Sequence, residues 1–402
     1  MRNLVKRSME LLLTLIVLMP MFTTVAWAQA ETYASCFPDE EFRAKAMNLC
    51  SVADPSTPID KEKLSSIKSL DIHSLGVSSL VGIEYFTGLT KLECYNNYKI
   101  TSLDLSKNTA LTYLRCSCQS IKELDVTKCP ALKTLIVDGY SKLTSLKVSG
   151  NTSLEKLIIS DHVVLESLDV SNCTSLKTLE CTGLTDLTNG ISSSLKSLNV
   201  TNCTALEKLI CYASRLTSLD VSTCKSLTTL GCSRNNISQL DISNCQSLTT
   251  LSCDRNKLKN LDVSKCTALT DLSCYSNKLT NLDVSKCTAL THLNCSFNGG
   301  LKNIDVSKNI SLVELKCSST KITKLDISNN INLTKLTCRV ITNIKGLNKN
   351  RTKVERELNG LGSIFDDYAG IFIGAGALLI IGGIAIFVVV RKKRKAKKEE
   401  QE

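Results

Sequence analysis

A unit of 21 or 22 residues recurs about twelve times from Ile67 onward, and no other feature constrains the fold of this chain so tightly. Residues 248–268 read LTTLSCDRNKLKNLDVSKCTA and residues 269–289 read LTDLSCYSNKLTNLDVSKCTA, a pattern of L-x-x-L-x-C-x-x-N-x-L-x-x-L-D-V-S-x-C. Side chains alternate along a strand, so Leu251 and Cys253 share one face of a short strand and Ser252 takes the other. Asn256 stands where the chain leaves that strand, and its amide can satisfy backbone groups at the turn. One 21-residue coil cannot bury its leucines alone. Stacked coils can, in a parallel sheet over one continuous core. At about 4.8 Å per coil, twelve coils predict a solenoid on the order of 55 Å long.

Twenty cysteines are the anomaly of the composition. Ten fall at the strand position of the repeat, from Cys94 to Cys338, and seven follow D-V-S-x, from Cys129 to Cys287. Val137 and Ile159 replace the first set, while Asn108, Asn151, Asn309 and Asn330 replace the second. Such exchange points to packing. Secretion favours disulfides, but in-register strands aim their Cβ atoms in parallel, not at one another. Buried free thiols acting as small apolar side chains are therefore expected along the columns. Cys36 and Cys50, outside the columns, are the candidates for a disulfide. A zinc site is not expected: there is no C-x-x-C pair, and the repeat spacing lines ligands up in a row.

The ends of the chain carry topology signals. Residues 1–28 combine a basic start, an apolar run and Ala26-Trp27-Ala28, the pattern of a secretory signal peptide. Residues 369–390 hold no charge and are followed by RKKRKAKK, which predicts a transmembrane helix with its C-terminus in the cytoplasm. Of the net charge of +11, residues 1–10 contribute +2 and residues 391–402 contribute +4. The basic balance thus reports a membrane, not a nucleic-acid partner. The expected layout is a signal peptide (1–28), an N-terminal cap (29–66), the repeats (67–332), a C-terminal cap and stalk (333–368), the membrane helix (369–390) and a basic cytoplasmic tail (391–402). One coil, from Leu176, has 30 residues, and its excess in TGLTDLTNGISSSL is expected to project as a loop.

The repeat, the cap segment CFPDEEFRAKAM and the first coil SSLVGIEYFTGLTKLEC resemble bacterial surface leucine-rich-repeat proteins of the internalin-like type with a cysteine ladder. That resemblance implies an α/β-type solenoid, a horseshoe with a parallel sheet on its concave face and a helical N-terminal cap, serving extracellular recognition as an adhesin does. No LPxTG signal precedes the apolar segment, which favours membrane anchoring over wall attachment.

Catalytic patterns are absent: the three histidines are scattered, and no H-E-x-x-H, G-x-S-x-G or phosphate-binding loop occurs. Neither an enzyme nor a cofactor is expected. Aromatic and arginine side chains are favoured at recognition hot spots, and positions flanking the strand cysteines predict a binding face of Tyr212, Arg234, Asp254, Arg255, Asp271, Tyr275, His292 and Phe297. The expected partner is an extracellular protein or glycan. A structural envelope rod without a ligand, or a co-receptor acting through a partner, are the alternatives.

Overall fold

The computed structural model describes residues 31–117, 120–139, 142–160, 164–182, 195–339, 341 and 343–355. The signal-peptide, membrane-helix and tail segments, and residues 183–194 of the long coil, lie outside them. Among the described residues no helix is long and apolar enough to cross a membrane. The chain divides into two compact units, residues 1–154 and 155–402.

The first unit opens on three helices: α1 (Tyr33–Cys36), α2 (Glu40–Cys50) and α3 (Lys61–Ser66). Asp39 caps α2, its Oδ1 accepting the Phe42 N–H at 2.9 Å. Its Oδ2 accepts from Ser78 N and Oγ at 2.7 and 2.6 Å, tying the helix to the first coil. Tyr33, Phe37, Phe42 and Phe86 are fully buried beneath these helices, with Phe37 edge-on to Phe42 at 5.4 Å. Cys36 and Cys50 both stand here as free buried thiols. The expected bridge is not formed: Cys36 Sγ accepts from the Tyr85 hydroxyl at 3.3 Å, and Cys50 lies beside the Tyr33 hydroxyl. Beyond the helices, β1 (Ser69–Asp71), β2 (Lys91–Glu93), β3 (Tyr113–Arg115) and β5 (Thr134–Val137) pair in parallel with each leucine opposite the next. On the return side of the coils β4 (Glu123–Asp125) pairs with β6 (Ser145–Lys147).

The second unit continues the same construction. Its strands are β7 (Lys156–Ser160), β9 (Thr178–Thr182), β11 (Lys208–Ile210), β12 (Thr229–Gly231), β13 (Thr250–Ser252), β14 (Asp271–Ser273), β15 (His292–Asn294), β16 (Glu314–Lys316), β18 (Lys335–Thr337) and β20 (Lys353–Glu355). Every pairing from β7 to β20 is parallel and in register. Return-side pairs β8 (Ser167–Asp169) with β10 (Ser197–Asn199), and β17 (Lys324–Asp326) with β19 (Asn343–Lys345), add two short sheets.

Each repeated side chain has a definite role. Asn256 Nδ2 donates to the carbonyls of Cys232, Cys253 and Asp254 at 2.9–3.2 Å, and its Oδ1 accepts the Ile237 N–H at 3.0 Å. Both the amino group and the carbonyl oxygen of the side chain are engaged. Strand cysteines donate forward, as Cys253 does to the Ser273 carbonyl at 3.5 Å. The other column donates backward: Cys287 Sγ reaches the carbonyls of Val263 and Cys266 at 3.5 and 3.6 Å. Where asparagine occupies that column it reaches the equivalent carbonyls, Asn309 donating to Val284 and Cys287 at 3.0 and 2.7 Å. The exchange of Cys and Asn seen in the sequence is thus one of hydrogen-bond donors, a refinement of the packing explanation.

Candidate functional site

The outward face of the second unit's sheet is built from the residues on either side of each strand leucine. Over β13–β15 one row is small or short, Ser252, Ser273 and Asn294, and over β14–β16 the other is Asp271, His292 and Glu314. Between them lies an open groove of about 470 Å³, which also takes in Thr250 and Lys316. It exists because three successive strands place serine or asparagine where a longer side chain would fill the space.

Charges in the groove are paired. The His292 Nδ1 lies 3.0 Å from Asp271 Oδ1, and Asp271 Oδ2 accepts from Thr270 Oγ1 at 2.7 Å. Glu314 contacts Lys335 at 2.8 Å and Lys316 at 3.6 Å. Burial works against its ionisation, yet the Lys335 hydrogen bond and the two lysine charges hold the carboxyl below its usual range. The groove is therefore an array of preset donors and acceptors with no uncompensated block of charge.

Of the eight residues expected at the binding face, Asp271 and His292 line this groove. The other six do not. Arg234, Arg255 and Phe297 occupy the turn after the strand, at φ of 59°, 51° and 57°, three residues past the outward row. Tyr212 lies across β12 at Gly231, where an added Cβ would meet its ring atoms at about the same place. Burial pushes its phenol up to about 12 despite a hydrogen bond with Ser252. Tyr275 is only 7% exposed; Phe297 packs edge-on against it at 5.0 Å and the Arg255 guanidinium sits 5.4 Å from its ring. Asp254 is held behind the groove, its carboxylate accepting from Ser273 Oγ at 2.5 Å, Tyr275 N–H at 2.9 Å and Ser233 Oγ at 3.2 Å. Burial raises the Asp254 carboxyl above its ordinary value even so. These are positioning groups for the groove, not its lining.

Sequence reasoning missed the groove's own floor, because serine and asparagine carry no compositional signal in a repeat full of them. It also missed a stack in the first unit. There Tyr95 is sandwiched between His73, parallel at 4.8 Å, and the Arg115 guanidinium at 4.2 Å, and Arg115 is bound to Asp138 at 2.9 Å. Both faces of that ring are occupied within the protein. Among the described residues no group of three or more His, Cys, Asp or Glu side chains is arranged to hold a metal ion.

Parallel coils of this length, with a strand leucine, a turn asparagine and cysteine columns, define a leucine-rich-repeat solenoid, a scaffold for binding. Known proteins narrow the class. Residues 37–162 match the family model of the leucine-rich-repeat domain of the endo-β-N-acetylglucosaminidase EndoS. The functional domain of internalin J from Listeria monocytogenes, which includes a cysteine ladder, is 33% identical, with a TM-score of 0.56 over 78% of this chain and 76% of that one. The chain belongs to the internalin-like family of bacterial surface leucine-rich-repeat proteins. Internalin J of Listeria monocytogenes serotype 4b is also 41% identical over 88 residues, a stretch spanning 22% of this chain and 9% of that protein's length. The internalin inlF of the same species, 21% identical with a TM-score of 0.51 over 84% of this chain and all of that one, shares the fold.

Proposed function

We propose that this chain is a membrane-anchored surface protein that binds an extracellular protein or glycan, in the manner of an adhesin, through the groove on β13–β16. The observation that carries the reading is the groove itself: a polar recess on the outward face of the second unit's sheet, lined by preset donors and acceptors and flanked by the Glu314–Lys335 ion pair. Solenoids of this class use such sheet faces for recognition. The apolar segment at 369–390 and the basic tail behind it supply the anchor in this reading.

Displaying the full chain on a non-adherent bacterial cell and measuring attachment to cultured epithelial cells tests it. Ser273→Arg fills the groove floor and leaves the buried strand leucines in place, though it removes the hydrogen bond to Asp254, and is expected to reduce attachment at least tenfold at equal surface display. Attachment unchanged by Ser273→Arg would sink the groove as the binding face. Display that survives alkaline washing and is lost on deleting residues 369–402 checks the anchor.

A further inference from the structure

The groove floor has a fixed hydrogen-bond polarity, set from behind. An ionised carboxylate is an acceptor only, so the Ser273 hydroxyl that donates to Asp254 Oδ1 at 2.5 Å turns its proton inward. Ser273 then offers the groove lone pairs alone. Asn294, its partner in register on the next strand, is the reverse. Its Oδ1 accepts the Ser296 N–H at 3.2 Å, which leaves the Nδ2 amino group as the donor the groove receives. An acceptor and a donor therefore stand side by side on adjacent strands, about 4.8 Å apart.

We propose that this pair recognises a secondary amide, the N–H donating to Ser273 and the carbonyl accepting from Asn294, and that the amide is the acetamido group of an N-acetylated sugar. The inference rests on the groove being the binding face. It favours a sugar over a peptide for two reasons. An extended peptide presents an amide about every 3.4 Å and needs the acceptor–donor pattern repeated, whereas here Ser252 is engaged by Tyr212 on one side and Lys316 follows on the other. The surrounding side chains, Thr250, Asp271, His292 and Glu314, offer hydroxyl and carboxylate partners for ring hydroxyls and no apolar pocket for a peptide anchor.

Asp254 acts in this scheme through Ser273 and is a positioning residue. The titratable and charged groups around it are Tyr212, Cys232, Cys253, Cys274 and Arg255. Burial, the largest influence on it, raises its carboxyl above the ordinary value. Protonation, reached at a higher pH than for an exposed aspartate, removes the demand that Ser273 donate inward.

The experiment titrates the full chain, labelled with 15N at asparagine, with chitotriose, with cellotriose, which has a hydroxyl in place of each acetamido group, and with trialanine. Chitotriose is expected to shift the Asn294 side-chain signal and to bind at least about tenfold more tightly than the other two, the scale of one or two hydrogen bonds. Ser273→Ala and Asn294→Ala each lose that preference. Asp254→Asn keeps it, because the amide oxygen still accepts from Ser273, and Asp254→Ala loses it; wild-type binding weakens as pH falls toward 3.8 while that of Asp254→Asn does not. Melting curves establish that each variant is folded, and if Asp254→Ala is not, the Ser273→Ala and Asp254→Asn pair decides. Equal binding of cellotriose, a preference for trialanine, or wild-type affinity in Ser273→Ala overturns the proposal. Attachment lost in Ser273→Arg with no preference for chitotriose refutes the amide inference alone; a chitotriose preference with unchanged attachment refutes the adhesive reading instead.

Discussion

Asp254 is a carboxylate whose surroundings disagree about its charge. Burial favours the neutral acid, while Ser273, Tyr275 N–H, Ser233 and the Arg255 charge favour the anion, and burial prevails, so the carboxyl is raised above the usual 3.8. A raised acid binds its proton more readily in the folded chain than in the unfolded one. Its contribution to stability therefore grows as pH falls from neutral through the folded value and levels off below 3.8. The aspartates of the return side behave oppositely. Asp220, Asp241 and Asp262 are held below the usual range by the Ser222, Ser243 and Ser264 groups two residues on, and their support is lost only as pH falls beneath 3.8. The two windows are separate. As pH falls from neutral toward 3.8, unfolding free energy is expected to rise more steeply with acid in the wild type than in Asp254→Asn, by up to about 1.4 kcal/mol per pH unit where the single proton is taken up. Urea melts at several pH values check this, and parallel curves would show that the buried acid does not titrate there.

At the scale of the element, the two cysteine columns explain both the regularity of the coils and its exceptions. A thiol has one donor and fits beneath two backbone carbonyls of the preceding coil; Cys266 reaches those of Ile242 and Cys245 at 3.8 and 3.6 Å. Asparagine makes shorter bonds to the same sites, but the Oδ1 atoms of Asn108, Asn151, Asn309 and Asn330 are all buried without a partner. The stronger donor thus carries an orphaned acceptor, and the two residues come out nearly equal. Asn309→Cys is expected to change stability by less than about 1 kcal/mol, and Asn309→Ala, which removes two hydrogen bonds to carbonyls that keep only their backbone donors, to cost about 1–3 kcal/mol. Denaturant titration separates them, and an equal cost would remove the thiol's role as a donor. The strands, their buried leucines and the ladder were legible because period and alternation are properties of the sequence. The groove was not, since it depends on what Ser252, Ser273 and Asn294 lack in volume. Nor was the turn that carries Arg234, Arg255 and Phe297 out of the sheet row, because the left-handed residue at this turn varies among arginine, phenylalanine, serine, alanine and asparagine, and is glycine at Gly139.

For the whole molecule, the cysteines set a chemical test of the fold. All 19 described cysteines are buried thiols outside any disulfide. Burial pushes the thiols of Cys129, Cys224, Cys266 and Cys287 up to about 11, and those of Cys181, Cys203, Cys232 and Cys245 to about 12. The thiolate is the nucleophile, so at neutral pH these groups are nearly inert even before access is considered. Along the columns Sγ donates to a backbone carbonyl of a neighbouring coil, as at Cys253, Cys274, Cys287 and Cys295, which directs the hydrogen away from the next sulfur. Alkylation must then wait for coils to open, and in a stack where each coil leans on its neighbours opening starts where neighbours are few. In the native full chain, iodoacetamide at pH 7.5 is expected to label Cys338, near the last described strand, before Cys253 in the middle of the second unit, with labelling of the inner columns slower by at least two orders of magnitude than in urea. Mass spectrometry of the labelled peptides reads the order directly. Rapid uniform labelling would mean that the columns are not a packed core, and a denatured chain with few titratable thiols would mean that oxidation had bridged coils whose strands point their sulfurs side by side.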